Sequence, residues 1–300
     1  MLQVAFHPDY IHPIPEGHKF PMEKYQLLPE QLLYEGTLDQ AHFFEPEVCS
    51  DQLVLCTHDN DYFQRLSELK MTPREQRVSG FIHDEGLIVR EKRIMEGTRL
   101  CAEKALSCGA AMNVAGGTHH AYSNRGEGFC LLNDQAIAAN WLLQEGLAKR
   151  ILIVDLDVHQ GNGTAELFQD SQTVFTFSMH GKNNYPLKKE VSHCDVELAD
   201  GTRDKEYMFA LESNLDRVIS DFNPDFVFYQ SGVDVLETDK LGRLSLSIDG
   251  CKKRDEYVID AVRQLGIPIV CTMGGGYSKE IKYIIEAHAN TFRAIQNNLF

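Results

Sequence analysis

Six apolar runs recur along the chain, and most are continuous, not alternating: 53–57 LVLCT, 110–115 AAMNVA, 150–156 RILIVDL, 173–178 TVFTFS, 225–230 DFVFYQ and 267–272 IPIVCT. An unbroken apolar run reads as a strand buried on both faces, the pattern of a parallel sheet covered by helices. The segments between them have helical spacing. In 204–222, Tyr207, Leu211, Leu215, Val218 and Phe222 fall on one stripe, which Asn223-Pro224 stops. In 250–265, Val258, Ala261, Val262 and Leu265 do the same, and Gly266 sits where a left-handed cap residue is expected. Residues 279–298 place Ile281, Ile284, Ile285, His288, Phe292 and Ile295 on one side, with Ser278 as the expected N-cap. This alternation predicts an α/β fold: a doubly wound, mostly parallel sheet with helices on both faces. No repeat, low-complexity tract or linker interrupts the 300 residues. A single domain over 1–300 is expected, with 1–50 as an irregular wrap or rim.

Charge and targeting signals narrow the function. The formal net charge is −15 with no local Lys/Arg-rich run, which argues against direct nucleic-acid binding. The first twenty residues lack a basic region followed by an apolar one, so no secretory signal is expected. No apolar run approaches the ~20 residues of a membrane span. The eight cysteines include no C-x-x-C pair. They read as core fillers in a reducing compartment, and a cytoplasmic location, or a nuclear one if the source is eukaryotic, is expected.

In open α/β sheets ligands bind beyond the C-terminal strand ends. Four runs end unusually here: in GGTHHAYSNRGEGF, DVHQGNG, SGVDVLETDKLG and MGGGY. Asp157 and His159 lie two apart, so both side chains point the same way, with Asp155 one pleat deeper. Asp-x-His is half a metal site, and Asp234, at the end of another strand, is the natural third ligand. Three protein ligands leave positions open for water and substrate, as a catalytic zinc requires. Taken alone, Asp-x-His is more often a structural hydrogen-bonded pair; Asp234 and the glycines reverse that preference. The adjacent His119 and His120 fit general acid–base work beside a metal, although a His pair in a loop more often faces solvent. Tyr277, ending GGGY, can donate to a developing oxyanion. Strand–Gly–Gly–Gly–helix also suggests a phosphate loop, but neither G-K-[ST] nor G-x-G-x-x-G follows.

Together GGTHHA, RGEGFCLLND, DLDVHQGNGT, SGVDVLETDKLG and GGGY resemble the zinc-dependent histone deacetylase family, with its arginase-like α/β fold. The resemblance spans about 110–295 and is closest to the class IV branch and its bacterial relatives. It implies that Asp157, His159 and Asp234 hold the metal, that His119 and His120 are the tandem catalytic histidines, and that Tyr277 is the transition-state tyrosine. Gly128 would bind the substrate amide. Phe129 and Tyr185 would wall an acyl-lysine tunnel with Leu241 at its rim, and Gly275 and Gly276 would flank the substrate. Asp155 and Ser178 match a structural potassium site, with Asp155 also behind His119. Asn162 would support His120, where class I members have aspartate. In arginases an aspartate two positions after the metal-binding histidine binds a second ion; here that position is Gly161, so a two-metal site is not expected.

The resemblance implies a zinc-dependent amidohydrolase, with Fe(II) as a competing native metal for a hard two-carboxylate, one-histidine site. The expected partner is an acylated lysine peptide or protein, or a small acylated amine such as a polyamine. A silent acyl-binding scaffold would need a broken site, and every matched position is intact.

Overall fold

The computed structural model describes residues 1–300. Its centre is one eight-stranded sheet in the order β2-β1-β3-β8-β7-β4-β5-β6. The strands are β1 (Gln3–Ala5), β2 (Phe43–Phe44), β3 (Ala110–Asn113), β4 (Ile151–Asp155), β5 (Val174–Gly181), β6 (Cys194–Leu198), β7 (Phe226–Gln230) and β8 (Ile269–Thr272). Every pairing is parallel. β3, β4, β7 and β8 are buried along their full length, the burial that continuous apolar runs predict. A large hydrophobic cluster and a smaller, alanine-rich one make up the core.

The helices of the first half are α1 (Lys24–Tyr34), α2 (Asp51–Leu55), α3 (Asn60–Ser67), α4 (Pro73–Ser79) and α5 (Glu85–Cys108). Those of the second are α6 (Asp134–Gln144), α7 (Asn162–Phe168), α8 (Asp204–Phe222), α9 (Ile248–Gln264) and α10 (Ile281–Leu299). Asn223 caps α8 in the left-handed conformation at φ 51°, and Gly266 adopts φ 65° beyond α9, both where the sequence predicts helix stops. None of the helices is long and apolar enough to cross a membrane.

Four expectations need correction. Residues 53–57 are not a strand: α2 covers most of them, started by Ser50, whose hydroxyl accepts from Leu53 N. A five-residue apolar run does not distinguish helix from strand. Ser278 does not cap α10. Glu280 occupies that position without a side-chain bond, while Ser278 pairs with the Thr238 hydroxyl at 2.8 Å. β6 was not anticipated, because it is a short edge strand of mixed exposure. The first fifty residues, finally, are more than a wrap. They supply β1, which pairs with both β2 and β3, and α1, which packs on α10.

Chain order explains where a site can form. The chain crosses from β3 to β4, leaving a gap that β7 and β8 later fill. Parallel strands each need a crossover, so the loops leaving β3, β8, β7 and β4 open side by side at one sheet edge, a topological switch point.

Candidate active site

β4 ends at Asp155, so Asp157 and His159 do not continue its pleat. They project from the loop that follows and still reach a common point. His159 Nδ1 lies 3.1 Å from Asp157 Oδ1 and 3.0 Å from Asp234 Oδ2. The ligand atoms of these three residues all fall within 4.8 Å of one another. Each carboxylate has its other oxygen tied to backbone: Gly275 N donates to Asp157 Oδ2 at 2.8 Å, and Val158 N donates to Asp234 Oδ1 at 2.9 Å. Two oriented carboxylates and one imidazole nitrogen converging in a buried place fit a divalent metal such as Zn(II) or Fe(II). Burial alone would lower the His159 pKa, but Asp157 and Asp234 hold it at about 10.

His119 and His120 sit side by side, ring centroids 4.1 Å apart, and both are buried. Their supports differ. His119 Nδ1 meets Asp155 Oδ2 at 2.7 Å. Burial pushes His119 down, yet Asp155 and Asp157 more than offset it and leave the imidazole above its usual value. His120 Nδ1 meets Asn162 Oδ1 at 2.6 Å. Burial, then the neighbouring His119 and His159, hold His120 well below its usual value. Asn162 Nδ2 donates to Tyr122 Oη at 3.0 Å, and Tyr122 Oη donates to Glu190 at 3.2 Å. That chain turns the Asn162 oxygen toward His120. His120 Nδ1 is then the N–H donor, and its Nε2 carries the free lone pair.

Gly161 lies against the Asp155–His119 pair, and a Cβ there would strike the Asp155 carboxylate. The position that would bear a second-metal aspartate has no room for a side chain. Gly275 is equally confined, since its Cβ would meet Asp234 and Asp157. At Gly276 a Cβ would meet Val233, Ile284 and His288, and the residue is not among those lining the inner chamber or the outer cavity. Ser178 stands in register with Asp155 across β4 and β5, but its hydroxyl pairs with His180 Nδ1 at 3.0 Å.

A cavity of about 650 Å³ opens onto this cluster, with Phe129, Tyr185 and Leu241 in its lining. It shares His120, Gly128, Phe129, His159 and Tyr277 with an inner chamber of about 40 Å³. Phe129 takes φ 69°, rare for a non-glycine residue. Its N–H donates to Ser79 O at 2.8 Å, and its ring packs on Phe20, Phe81 and Tyr277. Gly128 leaves room for the His120 ring, which a Cβ would meet at 2.7 Å. The Tyr277 ring centroid lies 6.5 Å from that of His159. Burial, with Asp234 and Asp157 close by, raises its phenol pKa well above the usual value, so the hydroxyl keeps its proton.

Two contributors were not singled out from sequence. Asp239 accepts from Tyr277 N at 2.6 Å, Leu241 N at 2.8 Å and Gly242 N at 2.9 Å, and so fixes the tyrosine and the rim together. Its signal was the Asp with Gly three residues on, a turn pattern. Lys24 is buried, and its ammonium donates to Gly274 O at 2.8 Å; a lysine opening a helix carries no such signal.

A histone deacetylase domain profile matches residues 18–292. The chain is 42% identical over 294 residues to an uncharacterized protein of Picosynechococcus, covering 98% of each. It is 31% identical to histone deacetylase 2 of Arabidopsis thaliana, over 89% of this chain and 72% of that protein. It superposes on the crystal structure of an HDAC homologue complexed with SAHA with TM-score 0.84 and 25% identity, over 99% of this chain and 83% of the other. With this matched span and this parallel sheet, the chain belongs to the histone deacetylase domain family.

Proposed function

We propose that the protein is a metal-dependent amide hydrolase that removes acetyl or longer acyl groups from lysine side chains. One observation carries this reading: the ligand atoms of Asp157, His159 and Asp234 converge beside both histidines and Tyr277, where an aromatic-walled cavity narrows. A divalent metal held by those three residues would supply Lewis-acid polarisation of the amide carbonyl and an acidified water. His120, with a bare Nε2, accepts the proton as water attacks. His119, whose charged form Asp155 favours, stabilises the developing negative charge and can protonate the leaving amine. Tyr277 donates its hydroxyl to the oxyanion. Phe129 and Tyr185 flank the lysine stem and exclude water, and Leu241 lies at the rim. The reading also includes a structural potassium ion near Asp155 and Ser178. The neighbouring HDAC homologue was crystallised with SAHA, and a comparable ligand should enter this cavity.

Turnover of a fluorogenic acetyl-lysine peptide by Zn(II)- or Fe(II)-loaded protein tests the proposal, with Asp157→Ala as the inactive control. A panel of longer acyl-lysine peptides and acetylated polyamines then sets the substrate class. Metal-loaded protein that turns over no acyl amine would overturn the reading.

A further inference from the structure

Tyr185 lies in residues 182–193, between β5 and β6, a stretch without helix or strand. Its ring stands edge-on to His120, centroids 5.0 Å apart at 88°. Tyr185 is nonetheless 39% exposed, and Leu187 beside it 91% exposed. A half-exposed aromatic on an irregular loop gains little from burial, so something else must offset the entropy of holding one rotamer. The Tyr185 hydroxyl donates to Glu127 Oε2 at 2.5 Å, a short charge-assisted bond. Glu127 Oε1 accepts from Arg125 Nε at 2.7 Å. The Arg125 guanidinium lies 3.4 Å from the centroid of the Tyr122 ring, and Tyr122 Oη accepts from Asn162, the support of His120. The contacts close a circuit: His120, Asn162, Tyr122, Arg125, Glu127, Tyr185 and back to His120.

We propose that Glu127 is a positioning residue that holds one wall of the tunnel, the Tyr185 ring, closed over His120. This rests on the acyl-lysine reading for its consequence, though not for its geometry. Each Glu127 oxygen takes one donor, Arg125 on Oε1 and Tyr185 on Oε2, so the carboxylate is oriented toward the loop and acts through Tyr185. A glutamine at 127 keeps the size but offers one acceptor where two donors need one each.

The test compares Tyr185→Phe, Glu127→Gln and the double variant, each metal-loaded and full length. Trypsin cleavage after Lys188 or Lys189 reads the loop directly, and acetyl-lysine peptide kinetics read the tunnel. Each single variant should speed cleavage several-fold. Each should also raise KM by roughly tenfold, more than it lowers kcat, the effect of losing one charge-assisted hydrogen bond. The double variant should be no worse than the worse single, because both changes break one contact. Wild-type cleavage rates in both singles, or effects that multiply in the double, would overturn the clamp. A wild type with no turnover but with a loop that both substitutions loosen would overturn the deacylase reading and support the clamp.

Discussion

The Lys24 ammonium and the Asp157 carboxylate bind opposite ends of one peptide unit. Lys24 Nζ donates to Gly274 O at 2.8 Å, and the N–H of that peptide, on Gly275, donates to Asp157 Oδ2 at 2.8 Å. The cation polarises the peptide toward the carboxylate and strengthens the bond that orients it. Burial lowers the Lys24 pKa to about 8, with Asp234 and Asp157 opposing the fall, so at neutral pH the charge is largely kept.

Lys24→Met should therefore weaken Zn(II) binding about tenfold, the usual cost of losing an outer-shell partner. Competition with a fluorescent chelator measures it. The metal-free protein should not lose thermal stability, because a buried ammonium is itself costly. Unchanged metal affinity would show that the peptide needs no cation behind it.

Asn162→Asp should move the acidic limb of kcat/KM. A carboxylate beside His120 favours its charged form and raises its pKa. If His120 must be neutral to accept a proton, the limb shifts to higher pH by about one pH unit. A limb that stays in place would assign that role elsewhere.

Tyr277→Phe should lower kcat by about 10²–10³ while leaving metal affinity intact, because it removes one oxyanion donor and no ligand. Wild-type kcat in this variant would sink the assignment.

Acid should loosen the contact between α1 and α10. Arg293 donates to Glu35 through Nε at 2.8 Å and Nη2 at 2.5 Å. These bonds outweigh burial and hold the Glu35 carboxyl at about 2, against an ordinary 4.5. Because the folded value is the lower one, the stabilisation is complete above the unfolded value and is lost as pH falls from about 4.5 toward 2. Solvent screening limits it to about 1 kcal/mol. Urea midpoints from pH 2 to 7 should converge for wild type and Glu35→Gln at the acid end and separate above pH 5.

The inner strands and the candidate metal-binding trio were legible because burial on both faces demands unbroken apolar sequence, and carboxylates at such strand ends stand out. Asp157, His159 and Asp234 can be grouped from their positions at strand ends alone. β1 and β2 could not be read, because strands of three and two residues carry no period. Lys24 was hidden for another reason: its partner lies 250 residues away, and helix-opening lysines are ordinarily solvated. The Glu127–Tyr185 bond likewise joins two loops whose separation, 58 residues, no local pattern encodes.

Strands β7 and β8 come late in the chain yet fill the middle of the sheet. During synthesis the facing edges of β3 and β4 must therefore wait unpaired, open to wrong partners. Asp157 is made 118 residues before Gly275, whose amide orients it, a delay on the order of ten seconds on the ribosome. Asp234 arrives 75 residues after His159. For most of its own translation the nascent chain lacks the complete ligand set of the proposed metal site, so an ion held there would be loaded only in the last stage of its making.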